Sequence, residues 1–494
     1  MEDTHDADSG NAPKGTALVG HMGTTKLIFT VLSFSAPLGA IAGVVPLVIS
    51  EGNGAGAPCI YALIGVVLVL FATGFTAMAR VFPRTGAFYA YVTGGLGREA
   101  GMAAAFLALL GYVTCLVGMY AFFGDSINLL VGSFVKGDTV PWWIPAVLLW
   151  VAVAALGHFN VDLSGTILSV LMAFEVIIVM VFNLPVLFTG GPHGFQLTSF
   201  TPSAFTSGSV GIAILFAAAT FIGFESTAVY RSEVKDPSRT VPRATYLAII
   251  LIGLFYVLSS WALVTFYGPN NVADVATTNG TSMFADGLAY YAGDTAAKIM
   301  RCLVVTSLFA ATLAPHNTVA RYVNALARDG VLPKALGKAH PKHGSPAIAS
   351  AAVAVIVLIL VLPFTGLDAV KFYSWMFGIF CYAILIVMTL TSLAVIVYLR
   401  RTMHSENWWR SLVAPGLGFV GLASFVAIIA WYFPLLIGGS TVLGTVLQVF
   451  IYGTGVVGFV LALHWKKARP DIYRRLGGQT GDPQDDDRDQ VAVT

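Results

Sequence analysis

Apolar runs of about 18 to 28 residues, parted by short polar stretches, follow one another from residue 26 to residue 465. About 20 apolar residues in a helix cover the roughly 30 Å of a bilayer's hydrocarbon, so each run predicts a membrane-crossing helix. Twelve are predicted (spans 1 to 12), near residues 26–50, 57–79, 99–128, 142–160, 165–189, 208–230, 244–267, 297–325, 346–364, 371–399, 411–434 and 440–465. Two of them break the pattern in their middles. Span 6 carries Gly223-Phe224-Glu225 and then runs into Arg231-Ser232-Glu233-Val234-Lys235-Asp236-Pro237. A charge inside hydrocarbon is costly and is tolerated chiefly where it lines a cavity. A glycine beside it lets the backbone leave the helix and offer its own polar groups to a solute. Span 1 contains Ser35-Ala36-Pro37-Leu38-Gly39-Ala40-Ile41-Ala42-Gly43-Val44-Val45-Pro46, whose two prolines and two glycines oppose a continuous helix.

The two breaks correspond. Gly39 and Gly223 lie 184 residues apart, each well inside the first span of a five-span half. Matched interruptions of this kind point to a midplane site between inverted repeats. Where span 1 restarts, near Gly43, free N–H groups carry a partial positive charge suited to a carboxylate. The carbonyls that end the first pieces of spans 1 and 6 suit an ammonium group. Together they are expected to grip the zwitterionic head of an amino acid. Taken alone, Gly39-x-x-x-Gly43 would read as close helix packing; the matching break at Gly223 favours the binding role.

Composition excludes a soluble fold. Only 11% of the 494 residues are charged and 57% are hydrophobic, against roughly 25% and 45–50% in soluble domains. The net charge of +2 says little; the placement of Lys and Arg says more. With the N-terminus inside, the cytoplasmic connections hold Arg80, Arg84, Arg98, Arg231, Lys235, Arg239, Arg243, Arg328, Lys334, Lys338, Lys342, Arg400, Arg401, Arg410 and a basic stretch from Lys466. The outer side receives Lys136, Lys298, Arg301 and Lys371. That asymmetry predicts an even number of spans with both termini cytoplasmic in the cell membrane. Trp142-Trp143 at one interface and Trp408-Trp409 with Trp465 at the other fit aromatic belts.

Residues 1–24 lack the basic start and apolar core of a signal peptide and are expected to be disordered in the cytoplasm; the tail 467–494, basic and then acidic, is expected to be cytoplasmic and disordered at its end. Cys59, Cys115, Cys302 and Cys381 lie in or beside spans without metal-like spacing, and are expected to be buried free thiols. The sequence shows no metal-spaced histidines, no nucleophile with a recognisable base and no phosphate-binding G-x-x-x-x-G-K-[ST]. An enzyme, a cofactor and a nucleic-acid partner are therefore not expected; the partners are the lipid bilayer and a small molecule.

Four segments make the chain resemble the amino acid–polyamine–organocation (APC) superfamily of permeases. They are 35–46 in span 1, Arg80-Val81-Phe82-Pro83-Arg84-Thr85-Gly86-Ala87-Phe88-Tyr89-Ala90-Tyr91 after span 2, 221–244 around span 6, and 317–333 with Arg328-Asp329-Gly330-Val331-Leu332-Pro333. The resemblance implies an all-α membrane protein of twelve transmembrane helices in a leucine-transporter-like fold. Five helices (about 25–190) are followed by five inverted ones (about 208–400) and two more (about 411–465), spans 1 and 6 being discontinuous, within one membrane domain, 25–466. By position it implies substrate binding at Gly39, Ala40, Ile41, Ala42 and Gly43 and at Phe221, Gly223, Phe224 and Glu225. Arg80, Arg84 and Val234-Lys235-Asp236-Pro237 would be gating and packing elements of the cytoplasmic surface. Tyr112 in span 3 and Phe309 in span 8 are further candidates to face the pocket, with packing as the alternative.

Glu175, inside Leu171-Met172-Ala173-Phe174-Glu175-Val176-Ile177 of span 5, is the first candidate to carry a coupling proton. Some proton-coupled relatives place a lysine near this position, so a carboxylate departs from the pattern; the alternative is a structural carboxylate held by donors of span 1 or 8. Glu225 is the second, with substrate-cation binding and capping of the broken backbone as its other roles. His316 after Pro315 reads as a proton relay or as a bond to a backbone carbonyl freed by the proline. Thr306-Ser307 is the adjacent hydroxyl pair that sodium would want, yet it reads as too near the outer end. Phe221 and Phe224 suggest an apolar pocket or lid, and nothing resembles a carboxylate cluster for a polyamine. The function expected is secondary active transport of amino acids by proton symport and alternating access. An amino-acid exchanger and an amine permease remain open, and a non-transporting sensor is the different class.

Overall fold

The computed structural model describes residues 24–82, 87–135, 140–158, 165–229, 234, 236–338, 346–402 and 407–477. Arg84, Lys136, Arg231, Lys235, Lys342 and both terminal segments lie outside the described residues. Among the described residues the elements are all helices. Among the described residues nine helices are long and apolar enough to cross a membrane, and two shorter apolar helices, Trp143–His158 and Val210–Ala219, fall at spans 4 and 6. The chain is a multi-pass membrane protein.

Span 1 breaks one turn earlier than its glycines suggested. The helix Thr24–Ser35 stops at Ala36, which has φ 41°, the one positive φ outside glycine among the described residues. Pro37 explains the place. Its ring disfavours helical backbone at the residue before it, and it has no N–H to continue the ladder. The chain restarts as Pro37–Gly39, widens into a π-helical stretch Ala40–Val44, and tightens again at Val45–Leu47. Widening before Pro46 fits a turn whose i→i+4 bond the second proline removes. A turn at Gly52 and Gly54 then leads into span 2, Ala57–Val81.

Span 6 breaks where expected. Val210–Ala219 gives way to turns through Glu225, with φ 123° at Gly223, and the helix resumes at Ser226–Val229. An L side chain rarely adopts that φ, which is why glycine stands there.

Span 3, Arg98–Gly132, is the central post. Span 10 (Ala369–Thr402), span 12 (Thr441–Ala468), span 8 (within Met283–Arg328, after a kink at Gly293) and span 4 pack around it. Close approach depends on small residues: a Cβ on Gly458 of span 12 would sit 2.6 Å from the Met102 carbonyl oxygen of span 3. Span 7, Pro237–Tyr267, lies along span 2, and span 5, Gly165–Thr189, against spans 1 and 8. Outward-facing Leu148, Trp431 and Val442 are largely exposed, as residues facing lipid tails are. The four cysteines are free, but burial holds only for Cys115 and Cys381; Cys59 is partly exposed and Cys302 exposed.

The ends of spans 3 and 12 that carry Arg98 and Lys466 meet. Lys466 Nζ lies 2.9 Å from Glu99, and Tyr473 of the short helix Pro470–Arg475 donates to the same carboxylate at 2.8 Å. This end of the molecule is called the basic end.

Candidate substrate site

Between the two breaks lies a small cavity of about 40 Å³. Span 1 lines it with Ser35, Ala36, Gly39, Ala40 and Val44, and span 6 with Ala219, Thr220 and Ile222. Span 3 contributes Cys115, Met119 and Phe122, span 8 Leu308, Ala311 and Pro315, and span 10 Tyr373, Phe377 and Phe380. One side is thus irregular backbone and the other three ordered helices. Irregular backbone at membrane depth is tolerated where it lines a cavity.

Each break meets a buried carboxylate. At span 1, the Leu38 N–H donates to Glu175 Oε2 at 3.4 Å, and Ser307 of span 8 also bonds Glu175. Leu38 stands in the first turn of the restarted helix, where N–H groups lack a carbonyl one turn before them and carry partial positive charge. Glu175 therefore caps span 1 from span 5. At span 6, the Gly223 N–H donates to Glu225 Oε2 at 2.7 Å, and the Tyr112 hydroxyl of span 3 donates to Glu225 Oε1 at 2.8 Å. Glu225 therefore caps its own broken segment while touching span 3.

The candidate residues divide between the cavity and its surroundings. Gly39 and Ala40 line it. Ile41, Ala42 and Gly43 are buried in the π-helical stretch beyond it. Ala42 borders a smaller recess shared with Phe122 and Arg301. A Cβ on Gly43 would fall 2.2 Å from Phe122 Cζ, so the ring of Phe122 fills the space once expected for a substrate carboxylate. Phe221 and Phe224 turn away from the cavity. Phe221 packs with Tyr61 and Tyr256, and Phe224 with Phe71 and Phe75. Tyr112 stands one turn from Cys115 on the side nearer Arg98, beneath the cavity rather than on its wall. Phe309 is partly buried among apolar neighbours. His316 is buried and bonds the Ser350 hydroxyl at 2.9 Å instead of a backbone carbonyl. Ser307 reaches the site through Glu175, whereas Thr306 donates to the Leu303 carbonyl.

The residues that reading by pattern missed are Cys115, Met119, Phe122, Tyr373, Phe377 and Phe380. They recur at helical spacing on spans 3 and 10, but the other faces of both spans are equally apolar. Only the packing of the two spans distinguishes the cavity face.

Comparisons with known proteins identify the family. The family model described as "Amino acid permease" matches residues 26–461. The low-affinity putrescine importer PlaP of Escherichia coli (strain K12) is 25% identical over 62% of this chain and 66% of its own length. The lysine-specific permease LysP of Lactococcus lactis is 27% identical over 65% of this chain and 64% of its own. The branched-chain amino acid permease BcaP of Bacillus subtilis is 24% identical over 63% and 69%. The chain spans slightly under two thirds of the first two of these relatives. With the family model matched from the start of span 1 to the end of span 12, around a cavity held between two helix breaks, the chain belongs to the amino acid permease family of the APC superfamily.

Proposed function

We propose that the protein is a secondary active transporter that carries an amino acid together with a proton by alternating access. The observation that carries this reading is the small cavity between two helix breaks, each met by a buried carboxylate. The cavity has room for a few waters only. A substrate therefore enters as the elements around it part, and the broken spans 1 and 6 are the elements with least regular backbone. Spans 1, 2, 6 and 7 move against the remaining helices in this scheme, within two inverted five-span repeats (25–190 and 208–400) followed by spans 11 and 12. Both termini and the basic end face the cytoplasm, in keeping with the Lys and Arg asymmetry.

The coupling follows from electrostatics at the restart of span 1. Its helix end favours a negative charge, and Glu175 is held there. A substrate carboxylate drawn to the same end would be a second anion beside the first. Two anions in a water-poor site repel, so a proton on Glu175 and a substrate carboxylate favour each other. That mutual preference is what symport requires. Glu225 has both oxygens engaged by protein donors, which favours a positioning role for it over a free counter-charge to an amine.

Uptake of a labelled amino-acid and amine mixture into proteoliposomes, with and without an inward proton gradient, tests the proposal. Gradient-driven accumulation supports symport. Uptake only into preloaded vesicles would mean an exchanger, and no uptake under either condition would overturn the reading.

A further inference from the structure

Resting on the transport reading above, we infer that the cavity selects amino acids with neutral, apolar side chains, and that Cys115, Met119 and Phe377 set this choice. The wall opposite the broken backbone supplies thiol, thioether, aliphatic and aromatic groups, with the Tyr373 hydroxyl as its one polar side-chain group. Four rings form a continuous surface on it. Phe122 stacks on Tyr373 at 4.8 Å and 21°, Tyr373 meets Phe377 at 5.1 Å, and Phe377 meets Phe380 at 5.4 Å. Among the described residues, no Asp, Glu, Lys or Arg lines the cavity.

The nearest carboxylates are committed elsewhere. Glu225 accepts from Tyr112 and Gly223, and Glu175 from Leu38 and Ser307. The polar groups that do line it are few. The Thr220 hydroxyl is bonded to the Ala217 carbonyl at 2.7 Å, leaving chiefly Ser35 and the Tyr373 hydroxyl. A lysine or diamine would bring an ammonium into this wall with no counter-charge, and a glutamate would bring a carboxylate with no cation. An unpaired charge removed from water is strongly disfavoured, and a ring face returns only a small part of that loss. An aliphatic, thioether or aromatic side chain instead gains from the transfer.

The test is competition in counterflow. Proteoliposomes of the full chain, preloaded with leucine, take up labelled leucine against equal concentrations of methionine, phenylalanine, lysine, putrescine or glutamate. Methionine and phenylalanine are expected to compete at least about tenfold better than lysine, putrescine or glutamate, the discrimination that a methylene or more gives in an apolar pocket. Competition or exchange by lysine or putrescine as strong as by leucine would overturn the apolar class while leaving the transport reading intact. Absence of exchange with any amino acid or amine would remove both.

Two variants locate the choice. Cys115→Asp should shift preference toward lysine, and Met119→Ala should favour phenylalanine over leucine relative to the parent, each checked for folding by thermal unfolding in detergent. An unchanged ranking in the folded variants would overturn the assignment of these residues.

Discussion

The two helix breaks solve one problem in different ways. At span 6 the cap is local: Glu225 takes the Gly223 N–H two residues away at 2.7 Å, and a glycine supplies the φ of 123°. At span 1 the cap comes from elsewhere: Glu175 reaches across from span 5 to the Leu38 N–H at 3.4 Å, shared with Ser307 of span 8. There a non-glycine residue, Ala36, carries the positive φ. A local cap travels with its own segment and changes little if the segment tilts. A cap assembled from three spans is broken by relative motion of any one of them. The span 1 cap is thus the one that relative motion of spans 1, 5 and 8 would break, and under the proposed coupling Glu175 is the carboxylate to test.

The sharpest way to break this comparison is to neutralise each cap. Glu175→Gln keeps an acceptor for Leu38 but holds no exchangeable charge, so gradient-driven accumulation should fall by at least tenfold while counterflow persists. Glu225→Gln should leave the gradient dependence in place and lower both activities together. Equal responses to the two substitutions would sink the distinction between a local and a coupling cap. Tyr112→Phe removes the single donor that ties the span 6 cap to span 3. A hydrogen bond of this kind is worth about 1–3 kcal/mol. Apparent thermal stability in detergent should drop accordingly, and any change in transport should appear equally in counterflow and in gradient-driven uptake.

The backbone of the two breaks gives a smaller and oppositely signed pair of effects. Gly223→Ala places a Cβ at φ 123° and should cost about 1–3 kcal/mol. Ala36→Gly relieves a left-handed alanine, worth roughly 1–2 kcal/mol, and loses about 0.5–1 kcal/mol to the greater freedom of glycine when unfolded. A slight net stabilisation is expected. Thermal unfolding midpoints of the two variants should move in opposite directions; a shift of the same sign would mean that the break at Ala36 is maintained by packing alone.

How much of this was legible in the sequence follows from what each feature depends on. Proline and glycine act locally, so the existence of both breaks could be read from Pro37, Pro46, Gly39, Gly43 and Gly223. The place of the first break could have been read too, since a proline restricts the residue before it; attention to Gly39 and Gly43 hid Ala36. The carboxylates stood out because charge is rare in apolar spans. Spans 1 and 8 could be named as sources of donors to Glu175, but not the individual partners, because Leu38, Ser307 and Tyr112 lie 137, 132 and 113 residues away in sequence from the carboxylates they serve. The aromatic cavity wall was least legible. In a uniformly apolar helix nothing marks the face that meets a cavity rather than lipid, so no local signal separates Phe122, Phe377 and Phe380, which line the cavity, from Phe221 and Phe224, which do not.

A third buried carboxylate separates pH effects on stability from pH effects on coupling. Asp329 follows span 8 at the basic end, outside the membrane spans, and is almost wholly buried. Burial pushes its carboxyl up to about 7, against the opposing pull of Arg328, a hydrogen bond from Tyr89, and Arg475. Its folded value lies above the ordinary aspartate value of 3.8, so between those two values the folded protein holds a proton that the unfolded chain has released. Stability from this group is therefore greatest at low pH, falls as pH rises from about 4 to about 7, and levels off above that. The slope cannot exceed about 1.4 kcal/mol per pH unit for one proton. Asp329→Asn should flatten the fall of the apparent unfolding midpoint between pH 5 and pH 7 (about two units inside that window) and leave gradient-driven accumulation unchanged. Glu175→Gln should instead lower gradient-driven accumulation, and it is on that readout alone that the two variants are expected to part. If Asp329→Asn also abolished the response to a proton gradient, coupling could not be assigned to the cap of span 1, because the basic end would then take part in moving the proton.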